Sequence, residues 1–154
     1  MPVWSNDEEW QGLVDGSRCP ICLRGVPLAV IAPMTASWLT MPERGPMAGY
    51  LCVVSRVHAV ELHDLEVPQA EAFIRDVRMA SKALAVATQA VKVNYEIHGN
   101  TLPHLHMHLY PRHRGDRFEG RTIDPKAVPQ PVYEAGHYEA MRERILLALS
   151  ATEA

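Results

Sequence analysis

Apolar residues recur along the chain with two different periods, and each period predicts a different kind of secondary structure. Between Pro68 and Ala90 they return at alternating steps of three and four, which places them on one face of a long helix. Pro68 fits the start of that helix, because a first-turn proline loses no intrahelical hydrogen bond. A similar amphipathic pattern runs from Tyr138 to Leu149. The sequence therefore predicts one long helix and a shorter C-terminal helix.

Shorter runs, apolar throughout or alternating with polar residues, predict strands. Those strands span residues 26–31, 37–40, 50–55, 91–97 and 104–110. The segment 112–130 is rich in proline, glycine and charge, which indicates a loop. One long helix among mostly consecutive strands is typical of an α+β domain built on an antiparallel sheet.

Nothing along the chain suggests a division into separate domains. Its 154 residues are enough for one domain with its own core, and we expect that domain to cover 1–154. Residues 1–18 are expected to form a loose N-terminal arm, and 113–154 a C-terminal loop and helix.

Charge and hydropathy narrow the classes of partner and the location. The formal net charge of −3 argues against a large nucleic-acid-binding surface, although it leaves room for a small basic site that holds an anionic ligand. No apolar run is long enough to cross a membrane. The N-terminus is acidic and lacks the basic and apolar regions of a secretory signal. The sequence thus predicts a cytoplasmic protein without nucleic-acid or membrane partners.

Three histidines near residue 106 follow a strand period. His104, His106 and His108 stand at alternate positions and are followed by Tyr110. Alternate side chains of a strand share a face, so all four are expected to point the same way. The intervening residues are apolar and should pack under the long helix: Leu105, Met107 and Leu109. The row has three interpretations: a solvated polar face, a set of metal ligands, or a nucleophile whose neighbours handle charge.

Two longer motifs contain or precede this row. Residues 99–112 read Gly-Asn-Thr-Leu-Pro-His-Leu-His-Met-His-Leu-Tyr-Pro-Arg, and residues 49–58 read Gly-Tyr-Leu-Cys-Val-Val-Ser-Arg-Val-His. The first resembles the signature of the histidine triad (HIT) family, in a form similar to a bacterial branch. The second is similar to the strand-and-turn block that precedes the family's long helix. The resemblance extends from Cys19 to Arg112, and it implies the HIT fold and a homodimer.

The resemblance also implies a nucleotide hydrolase or transferase. As the middle triad histidine, His106 would attack the α-phosphorus of a dinucleoside polyphosphate, such as diadenosine tetraphosphate, or of a nucleoside phosphoramidate. A nucleotidyl-histidine intermediate would form and be hydrolysed by water, while His108 contacts the phosphate. A neutral imidazole can make this attack near pH 7, since its unperturbed pKa is ~6.5. The expected substrate contacts are Gly99, Asn100, Thr101, Glu43 and Arg112.

One position departs from the family pattern. Tyr50 stands directly after a glycine, where many family members have a histidine. A tyrosine there has two possible roles: it holds a catalytic imidazole by a hydrogen bond, or it fills the core. The assignment of His106 as the nucleophile does not depend on which role is correct.

The N-terminal Cys-Pro-Ile-Cys motif points to metal or redox chemistry. In some family members such a motif binds structural zinc together with two histidines, and the matching positions here are Cys19, Cys22, His58 and His104. Two cysteines and two histidines are a usual closed ligand set for structural zinc. The alternative is a pair of buried or redox-active thiols. With His104 as a zinc ligand, only His106 and His108 would face the substrate, and no organic cofactor is expected.

Two other functions fit the same residues. His104, His106 and His108 could be the ligands of a metal-dependent hydrolase, which would need an open coordination position. Alternatively, the chain could bind nucleotides without turning them over. The histidines in turns and loops, His98 and His113 among them, are expected to face solvent.

Overall fold

Four helices form in the computed structural model, which describes residues 3–152. They are α1 (Asp7–Val14), α2 (Pro20–Arg24), α3 (Val67–Thr88) and α4 (His137–Thr152). The two helices predicted from the apolar periods are α3 and α4, and both are confirmed. Pro68 lies in the first turn of α3, and a capping box at Glu66 satisfies backbone groups there. The helix ends at Gln89, whose φ of 55° is left-handed.

Within residues 3–152, five strands form one antiparallel sheet. They are β1 (Val30–Pro33), β2 (Ser37–Thr40), β3 (Leu51–Ser55), β4 (Lys92–Glu96) and β5 (His106–Arg112). Their order across the sheet is β1-β2-β3-β5-β4, so β5 is an interior strand and β4 an edge strand. The predicted α+β class, with an antiparallel sheet, one long helix and a C-terminal helix, is confirmed.

Two strands begin later than the sequence pattern predicts. Expected at 26–31, β1 instead begins at Val30 and runs through Pro33. A proline is tolerated there because β1 lies at an edge and needs no hydrogen bonds on its outer side. The last strand was expected to start at His104, but β5 starts at His106. His104 therefore lies outside the sheet and does not obey the strand alternation.

The N-terminal segment is more regular than a loose arm. Where an irregular arm was expected over 1–18, the chain forms a 3₁₀ turn at Val3–Ser5 and then α1, and α2 follows beyond the arm. The side chain of Asn6 caps α1 by accepting a hydrogen bond from the backbone N–H of Glu9 at 3.1 Å. Acidic residues in the first turn favour the same helix end through the helix dipole. An asparagine followed by three acidic residues is the start signal that the sequence prediction overlooked.

The main core lies on one face of the sheet, beneath α3. Phe73 and Leu84 of α3 belong to the same buried cluster as Met107 and Leu109 of β5, and Ile145 of α4 completes it. The apolar positions of β5 are thus covered by the long helix, as predicted. The opposite face of β5 carries histidines and is left for the functional site.

The segment after β5 is mostly irregular, as predicted, with one 3₁₀ turn at Pro125–Ala127. It returns over the histidine face, where Phe118 and Ile123 pack against Tyr110. This loop forms one wall of the site described below.

Among the helices of residues 3–152, none is both long and apolar enough to span a lipid bilayer. One domain over 1–154 stays a prediction, and its first two and last two residues lie outside the described part of the chain.

Candidate active site and metal centre

Strand β5 presents two histidines on the face opposite the core. The rings of His106 and His108 are 4.8 Å apart between centroids and nearly perpendicular, and Tyr110 follows on the same face. On the neighbouring strand β3, Val54 is paired with His106 and Cys52 with His108. An interior strand is held from both sides, so it fixes these imidazoles more accurately than a loop would.

The hydrogen bonding of His106 leaves one ring nitrogen available for chemistry. Its Nδ1 lies 2.7 Å from the carbonyl oxygen of His104. A carbonyl oxygen only accepts hydrogen bonds, so Nδ1 carries the proton and Nε2 keeps its lone pair. His106 is also partly exposed. The expected nucleophile is therefore an imidazole whose tautomer is fixed by the backbone.

Tyr50 makes a direct hydrogen bond to the second histidine. Its hydroxyl oxygen is 2.6 Å from His108 Nδ1, and its ring stacks on Tyr110 at 5.0 Å. Both roles open to Tyr50 are observed, because it contacts this imidazole and also packs against buried apolar residues. Burial raises the pKa of Tyr50, which keeps the phenol protonated. Burial, with the nearby charges of His106 and His98, lowers the pKa of His108 to about 4, so His108 is neutral at pH 7.

A glycine allows Tyr50 to enter this position. Gly49 has a φ of 85°, and a Cβ added to it would lie 2.8 Å from Cγ2 of Thr88 on α3. Its N–H donates to the hydroxyl of Tyr133 at 2.7 Å. The chain therefore passes close to α3 just before β3 begins, and only glycine fits there without a shift.

An open cavity of about 1270 Å³ adjoins His108 and Tyr110. Its walls are β4, the exposed face of β5 and the loop after β5. Arg112 is the one expected substrate contact found in these walls among the described residues. The other expected contacts lie in the loops between β4 and β5 and between β2 and β3: Gly99, Asn100, Thr101 and Glu43.

Arg112 uses its side chain to hold the cavity wall. It forms a bidentate pair with Asp116 at 2.8 and 3.0 Å, and it donates further to Asn94 and to the carbonyls of Phe118 and Arg121. These bonds occupy all the N–H donors of a guanidinium. The pair with Arg112 also holds the pKa of Asp116 well below its usual range. The structure thus gives Arg112 the task of fixing the loop, and it leaves no donor for the expected contact with substrate.

A carboxylate–imidazole pair that the sequence prediction missed lines the same cavity. Glu96, the last residue of β4, is paired with His108 across the sheet, and its Oε2 lies 2.8 Å from His98 Nε2. The His98 ring is 5.7 Å from the His108 ring. His98 is exposed, as expected, and it also lies in the wall of this open cavity. No local signal marked His98, because β4 ends at Glu96 and the pairing of β4 with β5 is what brings His98 near His108.

The predicted metal ligands come together at the other end of β5. One ligand atom from each of Cys19, Cys22, His58 and His104 lies within 4.8 Å of the others. His104 Nδ1 is 3.4 Å from Cys19 Sγ, 3.6 Å from Cys22 Sγ and 3.2 Å from His58 Nδ1. Ligand bonds of about 2.0–2.3 Å around a tetrahedral zinc place neighbouring ligand atoms about 3.3–3.8 Å apart. The donor set and its spacing therefore fit a CxxC zinc site.

The backbone orients both histidines of this Cys₂His₂ cluster. His58 Nε2 lies 2.9 Å from the carbonyl of Val14, and His104 Nε2 lies 2.9 Å from the carbonyl of Ser55. Each Nε2 therefore carries a proton, and each Nδ1 lone pair points to the centre of the cluster, as ligand histidines require. Burial lowers the pKa of His104, which favours the neutral form that can bind a metal.

The three triad histidines do not converge on one metal site. His104 belongs to the Cys₂His₂ cluster, whereas ring nitrogens of His106 and His108 lie within 4.8 Å of Cys52 Sγ. Burial raises the pKa of Cys52 to about 12, so its thiol stays protonated and packs beside Val54. The alternative of a catalytic metal held by all three histidines does not fit this arrangement.

Comparison with known proteins places this geometry in a family. Residues 41–115 match the HIT domain, a range that contains Tyr50, His58 and all three triad histidines. Residues 41–115 are a histidine triad (HIT) domain. The family resemblance seen in the sequence is therefore confirmed. At the level of sequence alone, no curated protein gives a significant match.

Solved structures of other histidine triad proteins share the HIT fold of this chain. One from Bradyrhizobium japonicum is 26% identical, with a TM-score of 0.68 over 78% of this chain and 89% of that one. A Zn-bound histidine triad family protein from Mycobacterium smegmatis has a TM-score of 0.65 at 20% identity, over 89% and 96% of the two chains. A hypothetical histidine triad nucleotide-binding protein from Sulfolobus tokodaii has a TM-score of 0.65 at 17% identity, over 88% and 92%.

Proposed function

We propose that the protein is a nucleotide hydrolase or transferase that attacks the α-phosphorus through His106. The substrate class is a dinucleoside polyphosphate, such as diadenosine tetraphosphate, or a nucleoside phosphoramidate. The observation that carries this proposal is the hydrogen bond from His106 Nδ1 to the His104 carbonyl, which leaves Nε2 unprotonated on a rigid strand. Nε2 bonds to phosphorus and expels the leaving group, and water then hydrolyses the nucleotidyl-histidine.

His108 completes the arrangement as a donor to the phosphate. It is neutral at pH 7 and lies beside His106, so an N–H of its ring can stabilise the negative charge that develops on a phosphoryl oxygen. The cavity of about 1270 Å³ next to it has room for a nucleotide. The nucleotide-binding description of the Sulfolobus tokodaii relative supports the same substrate class.

Trapping of the covalent intermediate tests this function. Purified protein is mixed with diadenosine tetraphosphate or with an adenosine phosphoramidate, quenched within milliseconds, and analysed by mass spectrometry. We expect one nucleotidyl group on the peptide that contains His106. His106→Asn should bind nucleotide, form no adduct and lose about 10⁴-fold or more in turnover.

The control is His63→Asn, because the His63 side chain is 83% exposed and lies on the turn before α3. This variant should behave like the wild type. Full turnover by His106→Asn, or binding without turnover of either substrate by the wild type, would end the proposal. The second result would make the protein a non-catalytic nucleotide-binding module.

We further propose that the Cys₂His₂ cluster holds a structural zinc ion. The ligand spacing supports it, and the Mycobacterium smegmatis relative is described as Zn-bound. Bound zinc would link α2, the turn after β3 and the segment before β5 through Cys19, Cys22, His58 and His104. Free thiol ligands of this kind are typical of the reducing cytoplasm, the location we propose.

The edge strand β4 supports the proposal of a homodimer. Its outer edge carries backbone groups that need a partner. Beside it, Tyr95 of β4 and Ile74 of α3 are 49% and 42% exposed and line one apolar groove. We propose that two chains join along this edge. Sedimentation at micromolar concentration should show a dimer that Ile74→Glu converts to monomers, while Leu147→Glu, at an exposed position on α4, keeps the dimer.

A further inference from the structure

Three imidazole rings form a row, and the rings of His108 and His98 line the cavity. The centroids are 4.8 Å apart from His106 to His108 and 5.7 Å apart from His108 to His98. The first two rings are the nucleophile and the phosphate contact of the proposed reaction. His98 has no part in that reaction so far, although it lines the same cavity as His108.

The proposed reaction needs a proton donor for the leaving group, and the triad does not supply one. His104 has its Nε2 bound to the Ser55 carbonyl and its Nδ1 among the thiols. The Nδ1 proton of His106 is held by the His104 carbonyl. His108 is uncharged at pH 7, because its pKa is lowered to about 4. An amine leaving group therefore requires an acid from elsewhere in the cavity.

We propose that His98, held by Glu96, is the general acid and then the general base of this reaction. Glu96 Oε2 accepts a hydrogen bond from His98 Nε2 at 2.8 Å, which orients the ring and leaves Nδ1 to meet the leaving group. The Glu96 side chain is only 23% exposed, whereas that of His98 is 51% exposed. The carboxylate is thus sheltered while the imidazole remains within reach of a substrate. This inference rests on the proposed function.

The proton balance closes over the two steps. In the first step the bond between His106 Nε2 and phosphorus forms, the bond from phosphorus to the leaving group breaks, and the leaving group takes the Nδ1 proton of His98. In the second step a water oxygen bonds to phosphorus, its proton passes to His98 Nδ1, and the bond from His106 to phosphorus breaks with its electron pair returning to Nε2. Both histidines regain their starting states.

The other charged groups of the cavity are less suited to this task. They come from β4, the end of β5 and the loop after it: Lys92, Arg112, His113, Asp116, Glu119 and Arg121. Arg112 and Asp116 form an ion pair with each other. His98 is the member of the cavity wall whose ring lies against His108 and whose partner is a carboxylate.

The test compares two substrates whose leaving groups differ in their need for a proton. An adenosine phosphoramidate with an alkylamine leaving group requires protonation, whereas the p-nitrophenyl ester of adenosine monophosphate releases a stable phenolate. In the first turnover, His98→Asn should slow the phosphoramidate about 100-fold and the nitrophenyl ester less than about threefold. With the nitrophenyl ester, the adduct on His106 should then accumulate, because it still forms quickly but its hydrolysis lacks the base.

Two further variants separate a chemical role from a structural one. Glu96→Gln keeps His98 but removes the carboxylate, so it should show the same selectivity with a loss of about tenfold. His63→Asn is the matched control, since His63 also lies beside a carboxylate, that of Asp64 at 3.7 Å, but on the exposed turn before α3. This variant should react with both substrates at the wild-type rate.

The same experiments separate the two proposals. If the wild type forms the His106 adduct and His98→Asn slows both substrates equally, or slows neither, the role of His98 is wrong while the proposed function stands. If the wild type forms no adduct with either substrate, both proposals fail together.

Discussion

The Cys₂His₂ cluster and the pair formed by His106 and His108 both use histidines, and His104 of the cluster lies only two positions before His106. The environments of these two neighbours are nonetheless opposite. The side chain of His104 is 1% exposed, and both of its nitrogens have partners within the protein. His106 is partly exposed and has one nitrogen bound by the backbone. Closed contacts suit a structural metal site, and an open nitrogen suits attack on a substrate. For these two histidines, the number of ring nitrogens already bound within the protein indicates function better than the residue type does.

The start of β5 separates the two environments. His104 precedes the strand and its side chain turns toward the cysteines, whereas His106 begins the strand and its ring lies beside that of His108. The two sites are still joined, because the carbonyl of His104 accepts the hydrogen bond that fixes the tautomer of His106. The backbone of a proposed zinc ligand thus positions the imidazole that we propose as the nucleophile.

Breaking the Cys₂His₂ cluster should have the largest effect on the molecule. Cys22→Ser removes one of the ligands that tie the N-terminal helices to β3 and β5, and we expect bound zinc to be lost together with about 4–5 kcal/mol of unfolding free energy. Metal analysis and chemical denaturation measure both quantities. Cys52→Ala is the control, because Cys52 lies outside this cluster and should leave the zinc content unchanged. A Cys22→Ser protein with wild-type stability and wild-type zinc content would contradict the structural role.

The sequence was sufficient to propose the ligand set, the nucleophile and the different role of His104, but not to locate the boundary between the two sites. Cys19, Cys22, His58 and His104 carry their chemistry in their residue types and motif positions. What the pattern could not show was where β5 begins, because residues 104 to 110 alternate without a break. The structure ends the alternation at His106, since His104 gains more from its buried contacts than from a place on the strand face.

The helix of the N-terminal segment and the Glu96–His98 pair were missed for different reasons. The helix has a capping signal at Asn6 that a search for apolar periods does not detect. His98 follows the last residue of β4, in what the sequence presents as a turn, and only the pairing of β4 with β5 brings it to the cavity. Such a long-range contact is a property of the sheet order and not of the local sequence.

Acid should lower the unfolding free energy of the protein through His108, a residue of the proposed active site. Its folded pKa of about 4 lies below its ordinary value, so the unfolded chain binds the additional proton. The stabilisation from keeping His108 neutral is fully present above pH ~6.5 and is lost as the pH falls toward the folded pKa, by about 2 kcal/mol after allowance for partial exposure.

Denaturation of the wild type and of His108→Asn at a series of pH values between 7 and 4 measures the loss of stability that His108 causes. The variant should lose about 2 kcal/mol less than the wild type over that range, because Asn cannot titrate. Other groups that titrate in the same range, including any zinc ligands, are common to both proteins and cancel in the difference. Parallel stability curves for the two proteins would show that His108 does not carry the effect.

Tyr50→Phe removes a single hydroxyl group, and it tests whether that hydroxyl fixes the tautomer of His108. The Tyr50 hydroxyl should donate to His108 Nδ1, which puts the imidazole proton on Nε2, where a phosphate needs a donor. Without that hydroxyl the two tautomers mix, and we expect kcat to fall about tenfold, or ~1.4 kcal/mol, with little change in KM. The ¹⁵N chemical shifts of His108 should show Nε2 protonated in the wild type and a mixture in the variant. Tyr110→Phe is the matched control, because that ring stacks on His108 at 5.9 Å without the hydrogen bond to Nδ1. Equal losses in the two variants, or an unchanged tautomer in Tyr50→Phe, would mean that Tyr50 only fills space and has no catalytic task.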